Sequence, residues 1–392
     1  CGRVGYSETV TPKSSLRAIP TADRAWLLAA LADALQGGAP VLPVSEGADP
    51  EAIRRLQYET LPPGTALVVR TSGSSGVPKA VALSADALRA SAEATHEAFG
   101  GAGQWLVALP PHLISGLQML VRSAVSGIAP EFFDGPFDPA ELLARAEHMR
   151  HERRYVSLVP VQFTRLLTLA EVDPAAADVL RSFDAVLVGG QAVTLEMRRR
   201  AHDLGIALRR SYGMTETAGG CVYDGVEIGD TRVRIRDGEV QLAGPTLALG
   251  YVGDAQLTAD RFITDQGVRW YRTGDAGHLL GGMLTVTGRL DRVIISGGVN
   301  VSLDEIERVA SGHLGGSAVA AVGIADPAWG ERPVLVIEGV DHAIHQRTEE
   351  LGAALRAQLG PAAIPARLAV VAELPRLEGG KPDLRKIADL VS

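Results

Sequence analysis

From about residue 66 to residue 210, short apolar runs alternate with segments of helical pattern, and this alternation limits the possible folds more than any other feature of the chain. The runs include Ala66–Arg70, Trp105–Leu109, Tyr155–Val159 and Ala185–Val188. Strands separated by helices must be joined by crossover connections, which produce a mostly parallel sheet. Upstream, one helix is expected from Thr21 to Gln36. Trp26, Leu27, Leu28, Leu31 and Leu35 form its stripe, Thr21 or Asp23 its N-cap, and Gly37-Gly38 its end. From Val222 to Val286 the pattern changes to short strands with tight turns at Asp237-Gly238 and Gly281-Gly282, a smaller β-rich subdomain.

The texture changes again after Arg289. A Gly-Gly loop precedes a helix start at Ser302, where Ser302 and Glu305 have the spacing of a capping box. Strand-like Ala318–Ile324 and Pro333–Glu338 and a helix near Thr348–Leu359 follow, a compact α+β unit. The 392 residues exceed one ordinary core. The expected architecture is α/β: a large multi-sheet N-terminal domain over residues 1–290, with its β-rich subdomain at about 222–286, and a small mobile α+β domain over residues 291–392.

Composition excludes several classes. A net charge of -8 is the wrong sign for a general nucleic-acid surface. Two cysteines, Cys1 and Cys221, cannot build a disulfide framework, and no Cys/His spacing resembles a zinc site, so a cytoplasmic protein is expected. No apolar run approaches the roughly 18 residues of a membrane span, and no basic stretch followed by an apolar one suggests a signal peptide.

Five segments carry chemistry. In the first, a strand enters Thr71-Ser72-Gly73-Ser74-Ser75-Gly76-Val77-Pro78-Lys79. Glycines let backbone N–H groups wrap an anion, hydroxyls add donors, and a lysine adds a point charge for phosphate. The spacing is not that of the G-x-x-x-x-G-K-[ST] loop. In the second, Ser211-Tyr212-Gly213-Met214-Thr215-Glu216-Thr217, a carboxylate stands between hydroxyls, a hard oxygen set suited to Mg²⁺ shared with a nucleotide phosphate. The third places Asp275 in Thr273-Gly274-Asp275, where a carboxylate can accept ribose hydroxyls. The fourth joins Arg289 and Asp291 to Gly297-Gly298, and the fifth sets Lys381 on a glycine-rich loop. Taken singly, each has a plainer reading: a flexible turn, a solvated Glu, a self-capping Asp, a solvated lysine.

In this order the five segments resemble the adenylate-forming superfamily of acyl- and aryl-CoA ligases, peptide-synthetase adenylation domains and luciferases, from about residue 65 to the end. The resemblance implies that Thr71 to Lys79 hold the ATP phosphates and that Gly189-Gly190-Gln191 flank adenine. Tyr212, followed by Gly213 and Met214, stacks on the base. Thr215 contacts the α-phosphate and Glu216 binds Mg²⁺. Asp275 and Arg289 hold ribose. Asp291 is the hinge. Lys381 enters for adenylation only, and rotation of the C-terminal domain brings Gly297-Gly298 to the thioester site. ATP, Mg²⁺ and coenzyme A are the implied cofactors and co-substrates, with a small-molecule carboxylate as partner; a homodimer is left open.

The stretch Leu109 to Ser123 and the segment after Ser211 resemble CoA ligases for an aryl dicarboxylic acid. Arg122 is the candidate for the second carboxylate, against the alternative of an arginine paired with a nearby acid. Ser115 and Thr217 are candidate donors to a keto oxygen, Gln118 lines the pocket, and Gly219 and Gly220 leave room for a ring. Two positions depart from the family pattern. Leu113 stands where a histidine is frequent, with His112 one residue earlier, and Ile295 replaces a lysine before Ser296-Gly297-Gly298. Another aryl or acyl acid, a carrier-protein acceptor, and a nucleotide-binding pseudoenzyme are the competing readings.

Overall fold

The computed structural model describes residues 15–71, 79–314, 317–339, 343–377 and 380–391, with backbone alone for 343–349. Of the sequence-derived site residues, Ser72, Gly73, Ser74, Ser75 and Gly76 lie outside the described residues.

The alternation of runs and helices produces a seven-stranded sheet. Its order is Val226–Glu227, Gly219–Tyr223, Leu208–Met214, Ala185–Gly189, Arg154–Leu158, Gln104–Val107 and Glu131–Phe132. From Glu131–Phe132 to Leu208–Met214 neighbours pair in parallel, and the last two strands return antiparallel. The runs read as continuous because successive side chains enter different cores. Trp105, Tyr155 and Leu187 pack on one face, and Leu106, Val156 and Val186 on the other.

A second sheet shares the first of these cores. Its order is Arg17–Pro20, Val41–Val44, Thr65–Thr71, Lys79–Ser84 and Gly250–Tyr251. The helices Arg24–Leu35, Ala85–Ala98 and Ile114–Ser126 contact one another in pairs, and their Leu27, Leu88 and Leu117 join Leu67 and Trp105 in that core. The return strand Lys79–Ser84 is an addition to the sequence reading. It pairs antiparallel with Thr65–Thr71, and Thr71 faces Lys79 in register. The two ends of the expected phosphate loop are thereby held side by side.

The first helix begins at Arg24 instead of Thr21, because Asp23 caps it by accepting the Trp26 N–H at 3.0 Å. Trp26 then falls in the first turn with 46% of its surface exposed, outside the stripe formed by Leu27, Leu31 and Leu35. Gly116, in the first turn of Ile114–Ser126, allows that helix to sit on the preceding loop. A Cβ there would lie 2.4 Å from the carbonyl oxygens of both Leu109 and Pro110.

The third sheet is antiparallel: Arg232–Arg236, Glu239–Ala243, Val268–Leu280 and Phe262–Asp265, with Met283–Arg289 also on Val268–Leu280. It begins at Arg232 because Gly219–Tyr223 and Val226–Glu227 extend the seven-stranded sheet instead. After the turn Leu290–Arg292 comes the fourth sheet, with Val299–Ser302, Val293–Ser296, Gly330–Glu338 and Val319–Asp326 in order and Arg367–Val371 parallel to Gly330–Glu338. Ser302 caps the helix Leu303–His313. Among the described residues, no hydrophobic cluster combines side chains from both sides of the Leu290–Arg292 turn.

Candidate active site

The carboxyl ends of parallel strands are where α/β sheets bind ligands. The strands Ala185–Gly189 and Leu208–Met214 end in Gly190-Gln191 and in the short 3₁₀ turn Thr215–Thr217. These ends meet the antiparallel sheet through the Tyr212 side chain. Tyr212 on the large sheet donates its hydroxyl to Asp275 Oδ2 at 2.7 Å. Asp275 faces Arg289 in register across two strands, and Arg289 Nη1 donates to its other oxygen at 3.0 Å. The same guanidinium grips Asp291 with two bonds of 3.1 and 3.0 Å. Burial pushes the Asp275 carboxyl up, while Tyr212, Arg289 and Lys381 pull it down; the net direction is up. Burial lowers Arg289, but its bonds and charges with Asp291 and Asp275 outweigh burial and raise it. One arginine therefore ties the expected ribose carboxylate to the expected hinge.

Glu216 lies in the 3₁₀ turn and accepts the Tyr251 hydroxyl at 2.8 Å. Tyr251 pairs with Val81 on the return strand, and its ring lies 5.8 Å from the Lys79 ammonium. Glu216 and Lys79 are thus brought to the same tyrosine. Thr215 is buried beside Glu216.

Lys381 reaches the same group of charges from the C-terminal unit. Its side chain keeps exposed surface, yet the surrounding protein pushes its pKa down, opposed by Asp275 and Glu216 and assisted by Arg289. Its loop is docked: Gln191 donates to the Gly380 carbonyl at 3.4 Å, and Arg376 donates to the same oxygen at 3.2 Å. Gly297 and Gly298, by contrast, form an exposed hairpin turn with φ of +59° and +80°, as a two-residue turn of the primed type requires. Their place is against Trp329, whose ring a Cβ on Gly297 would strike at 2.6 Å. In this orientation the lysine loop, and not the Gly-Gly hairpin, stands at the Asp275 cluster.

The acyl-side residues line a cavity under the strand ends. Ser115, Gln118, Arg122, Ser157, Gly219 and Gly220 are among its walls. Arg122 is 2% exposed. Its guanidinium lies 4.7 Å from the Trp105 ring centroid, and Nη2 donates to the Tyr223 hydroxyl at 3.3 Å. Among the described residues no carboxylate pairs with it, which removes the plainer reading of an ion-paired surface arginine. Burial lowers its pKa, opposed by Tyr223.

Two of the expected contacts change character. The Thr217 hydroxyl is fully buried and engaged with the Met214 N–H and carbonyl and the Gly219 carbonyl, at 3.0, 3.0 and 2.7 Å. It staples the turn and has no hydrogen left for a substrate, so its candidate donor role falls. Gln118 lines the cavity, but its amide nitrogen is committed to the Ala218 carbonyl, which Ser91 also holds. Gly219 and Gly220 leave room in a specific sense. Side chains there would meet Gln118 Cγ at 3.0 Å and Ser211 Oγ at 2.2 Å. Gly213 is needed too, because its Cβ would lie 2.1 Å from the Gly219 carbonyl. The reading missed Trp105, Tyr223 and Tyr251. Trp105 lies in an apolar run; Tyr251 and Tyr223 stand among glycines, in Gly250-Tyr251-Val252-Gly253 and in Gly219 to Gly225, the one local signal for them, and their roles come from tertiary neighbours.

Residues 43–252 match the AMP-binding enzyme family and residues 305–381 the AMP-binding enzyme C-terminal domain; the chain belongs to this family. Within it, the chain is similar to a probable 2-succinylbenzoate–CoA ligase of Mycobacterium tuberculosis, with 39% identity over 366 residues, 92% of this chain and 93% of that one. A solved structure of an E. coli MenE variant with bound OSB-AMS matches with a TM-score of 0.70 and 27% identity, over 91% of this chain and 83% of that chain. The o-succinylbenzoate coenzyme A synthetase of Bacillus subtilis in complex with ATP and magnesium ion matches with a TM-score of 0.70 and 25% identity, over 89% and 76%. No described helix is long and apolar enough to cross a membrane.

His96 borders the Arg122 cluster from the helix Ala85–Ala98, and its Nε2 is buried without a hydrogen-bond partner. Burial first, then the Arg122 charge, push it down from 6.5 to about 4. A base whose folded pKa lies below its unfolded one stabilises the fold while neutral. Its contribution is complete above pH 6.5 and is lost as pH falls towards 4. Denaturant unfolding between pH 7 and 4.5 should show this loss, by up to about 1.4 kcal/mol per pH unit for one proton. His96→Gln should flatten the slope across that window; an unchanged slope would contradict the assignment.

Proposed function

We propose that this chain activates 2-succinylbenzoate with ATP to the acyl-adenylate and pyrophosphate, then passes the acyl group to coenzyme A, a step of menaquinone biosynthesis. The observation that carries the choice of acid is the buried Arg122 guanidinium in the acyl cavity, unpaired with any carboxylate among the described residues. A cation removed from water without a counter-charge is costly unless a ligand supplies one. An acid with two carboxylates presents one to ATP and the other to Arg122. The cytoplasm, where ATP and coenzyme A are available, is the proposed compartment. One chain supplies every group in this reading, so no partner subunit is needed.

In the first half-reaction a carboxylate oxygen of the acid attacks the α-phosphorus, and the bond to the pyrophosphate oxygen breaks. Negative charge grows on the leaving oxygens, so fixed cations matter more than a covalent nucleophile. Lys381 bridges the incoming carboxylate and the α-phosphate, beside Thr215. Thr71, the loop Ser72 to Gly76 and Lys79 hold the outgoing phosphates. Tyr212, with Gly213 and Met214, and the Gly189-Gly190-Gln191 loop frame adenine, and Asp275 with Arg289 holds the ribose.

Among the described residues no three His, Cys, Asp or Glu side chains converge into a metal cage. A single carboxylate fits Mg²⁺, which commonly takes one or two protein carboxylates and completes its shell with phosphate and water. Glu216 is that ligand, and the ion, when bound, neutralises phosphate charge. In the second half-reaction the coenzyme A thiol gives its proton to solvent, its sulfur attacks the acyl carbon, and the bond from that carbon to the AMP phosphate oxygen breaks. The C-terminal unit turns about Asp291, withdraws Lys381 and presents Gly297-Gly298. The separate hydrophobic clusters on the two sides of Leu290–Arg292 support such a motion.

Lys381→Ala should lower adenylation by about 10²- to 10³-fold, as loss of a transition-state cation does, measured as acid-dependent pyrophosphate release. Thioester formation from pre-made acyl-AMP should stay within a few-fold, and an equal fall in both half-reactions would remove Lys381 from this role. Arg122→Ala should raise KM for 2-succinylbenzoate by about 10- to 100-fold while KM for ATP is unchanged, the range for loss of charge-assisted hydrogen bonds. Steady-state kinetics that show no selective effect would take Arg122 out of the acid site.

A further inference from the structure

What holds Arg122 in place is as unusual as its lack of a counter-ion. The Trp105 face lies on one side, at 4.7 Å, and the acceptor at its end is the Tyr223 hydroxyl, at 3.3 Å. Tyr223 is itself fixed. Its ring stacks on Phe99 at 5.4 Å, and its Cε1 would lie 2.9 Å from a Cβ on Gly220. Its hydroxyl meets Thr95 Oγ1 at 2.9 Å, and Thr95 Oγ1 donates to the Ser91 carbonyl at 2.9 Å. A threonine hydroxyl has one hydrogen, so in the Thr95–Tyr223 pair the tyrosine is the donor. The chain then runs one way: Arg122 to Tyr223, Tyr223 to Thr95, Thr95 to the Ser91 carbonyl. The tyrosine hydrogen is drawn away from the guanidinium, and an oxygen lone pair is left facing it. Ser91 and Thr95 are fully buried, so water does not compete for these bonds.

We propose that Tyr223 is a positioning residue for the acid site, holding the Arg122 fork through a neutral acceptor so that its charge stays free for the substrate's second carboxylate. The proposal rests on the reading that Arg122 meets that carboxylate. An Asp or Glu in place of Tyr223 would also hold the fork, but it would neutralise the guanidinium and repel an incoming anion. A phenol holds it without charge. Tyr223 lies 101 residues from Arg122 and touches the pocket through the guanidinium it orients.

The test uses Tyr223→Phe, with Thr95→Val as a second variant that removes the acceptor fixing the tyrosine hydrogen. Two acids are compared: 2-succinylbenzoate and 4-oxo-4-phenylbutanoate, which lacks the ring carboxylate. For Tyr223→Phe, KM for 2-succinylbenzoate should rise about fivefold, the scale of one buried hydrogen bond, with kcat and KM for ATP within about twofold. Thr95→Val should give a smaller rise of the same selectivity, and it carries the test if Tyr223→Phe does not fold. The one-carboxylate acid, read as kcat/KM or as a competitive Ki, should be unaffected by either variant. In an Arg122→Ala background Tyr223→Phe should add less than about twofold, because the group it orients is gone. Equal losses for both acids, or full additivity with Arg122→Ala, would overturn the positioning role. If Arg122→Ala is itself unselective, the reading of the acid site fails first. If Arg122→Ala is selective and Tyr223→Phe is not, only the role of Tyr223 falls.

Discussion

Arg289 is the interaction on which the rest of the site depends. Its side chain holds Asp275 with one nitrogen and Asp291 with two, and its backbone N–H donates to Asp304 at 2.5 Å. Asp275 in turn receives Tyr212 from the large sheet. Four parts of the chain meet at one residue: the parallel sheet, the antiparallel sheet, the turn before the C-terminal unit, and that unit's first helix. Leaving a buried carboxylate unpaired costs about 3–5 kcal/mol, so the register of Val268–Leu280 against Met283–Arg289 matters beyond the sheet itself. At the end of the turn, Arg292 repeats the device towards the C-terminal unit, pairing with Asp304 and Glu307 and donating to the Ala321 carbonyl at 2.8 Å. Two arginines three residues apart thus flank Asp291, the proposed hinge, Arg289 bridging both sides and Arg292 held within the C-terminal unit.

The two pockets use opposite electrostatic arrangements. On the side of the proposed nucleotide site, carboxylates and cations are interleaved: Lys381 feels Asp275, Arg289 and Glu216, and Asp275 feels Arg289 and Lys381. Such a mixed cluster suits a ligand that carries both charge and hydroxyls. On the acid side a single cation is surrounded by aromatic rings and neutral acceptors. In the proposed function, specificity for an anion rests on that isolation more than on the number of contacts.

Much of this is legible in the sequence because the groups of the proposed nucleotide site lie in short contiguous motifs. Asp275, Arg289, Glu216 and Lys381 were named from those motifs, and the structure brings them together. The alternation of apolar runs and helices likewise corresponds to the parallel part of the large sheet. What escaped was the tertiary support. Tyr251 and Tyr223 are single aromatic residues whose meaning depends on partners 35 and 101 positions away. Thr217 looked like a free hydroxyl because no local pattern reveals three backbone partners. The return strand Lys79–Ser84 is not legible because its apolar run is only four residues long and its strand character comes from pairing with Thr65–Thr71.

The most direct test of the central claim is acid-dependent pyrophosphate release with Mg-ATP and coenzyme A, comparing 2-succinylbenzoate with benzoate, a medium-chain fatty acid and amino acids. The account predicts turnover with 2-succinylbenzoate well above that with the other acids, because of these acids it alone offers Arg122 a ring carboxylate while another carboxylate is adenylated. Preferred turnover of a monocarboxylic acid, or silence with every acid, would contradict it.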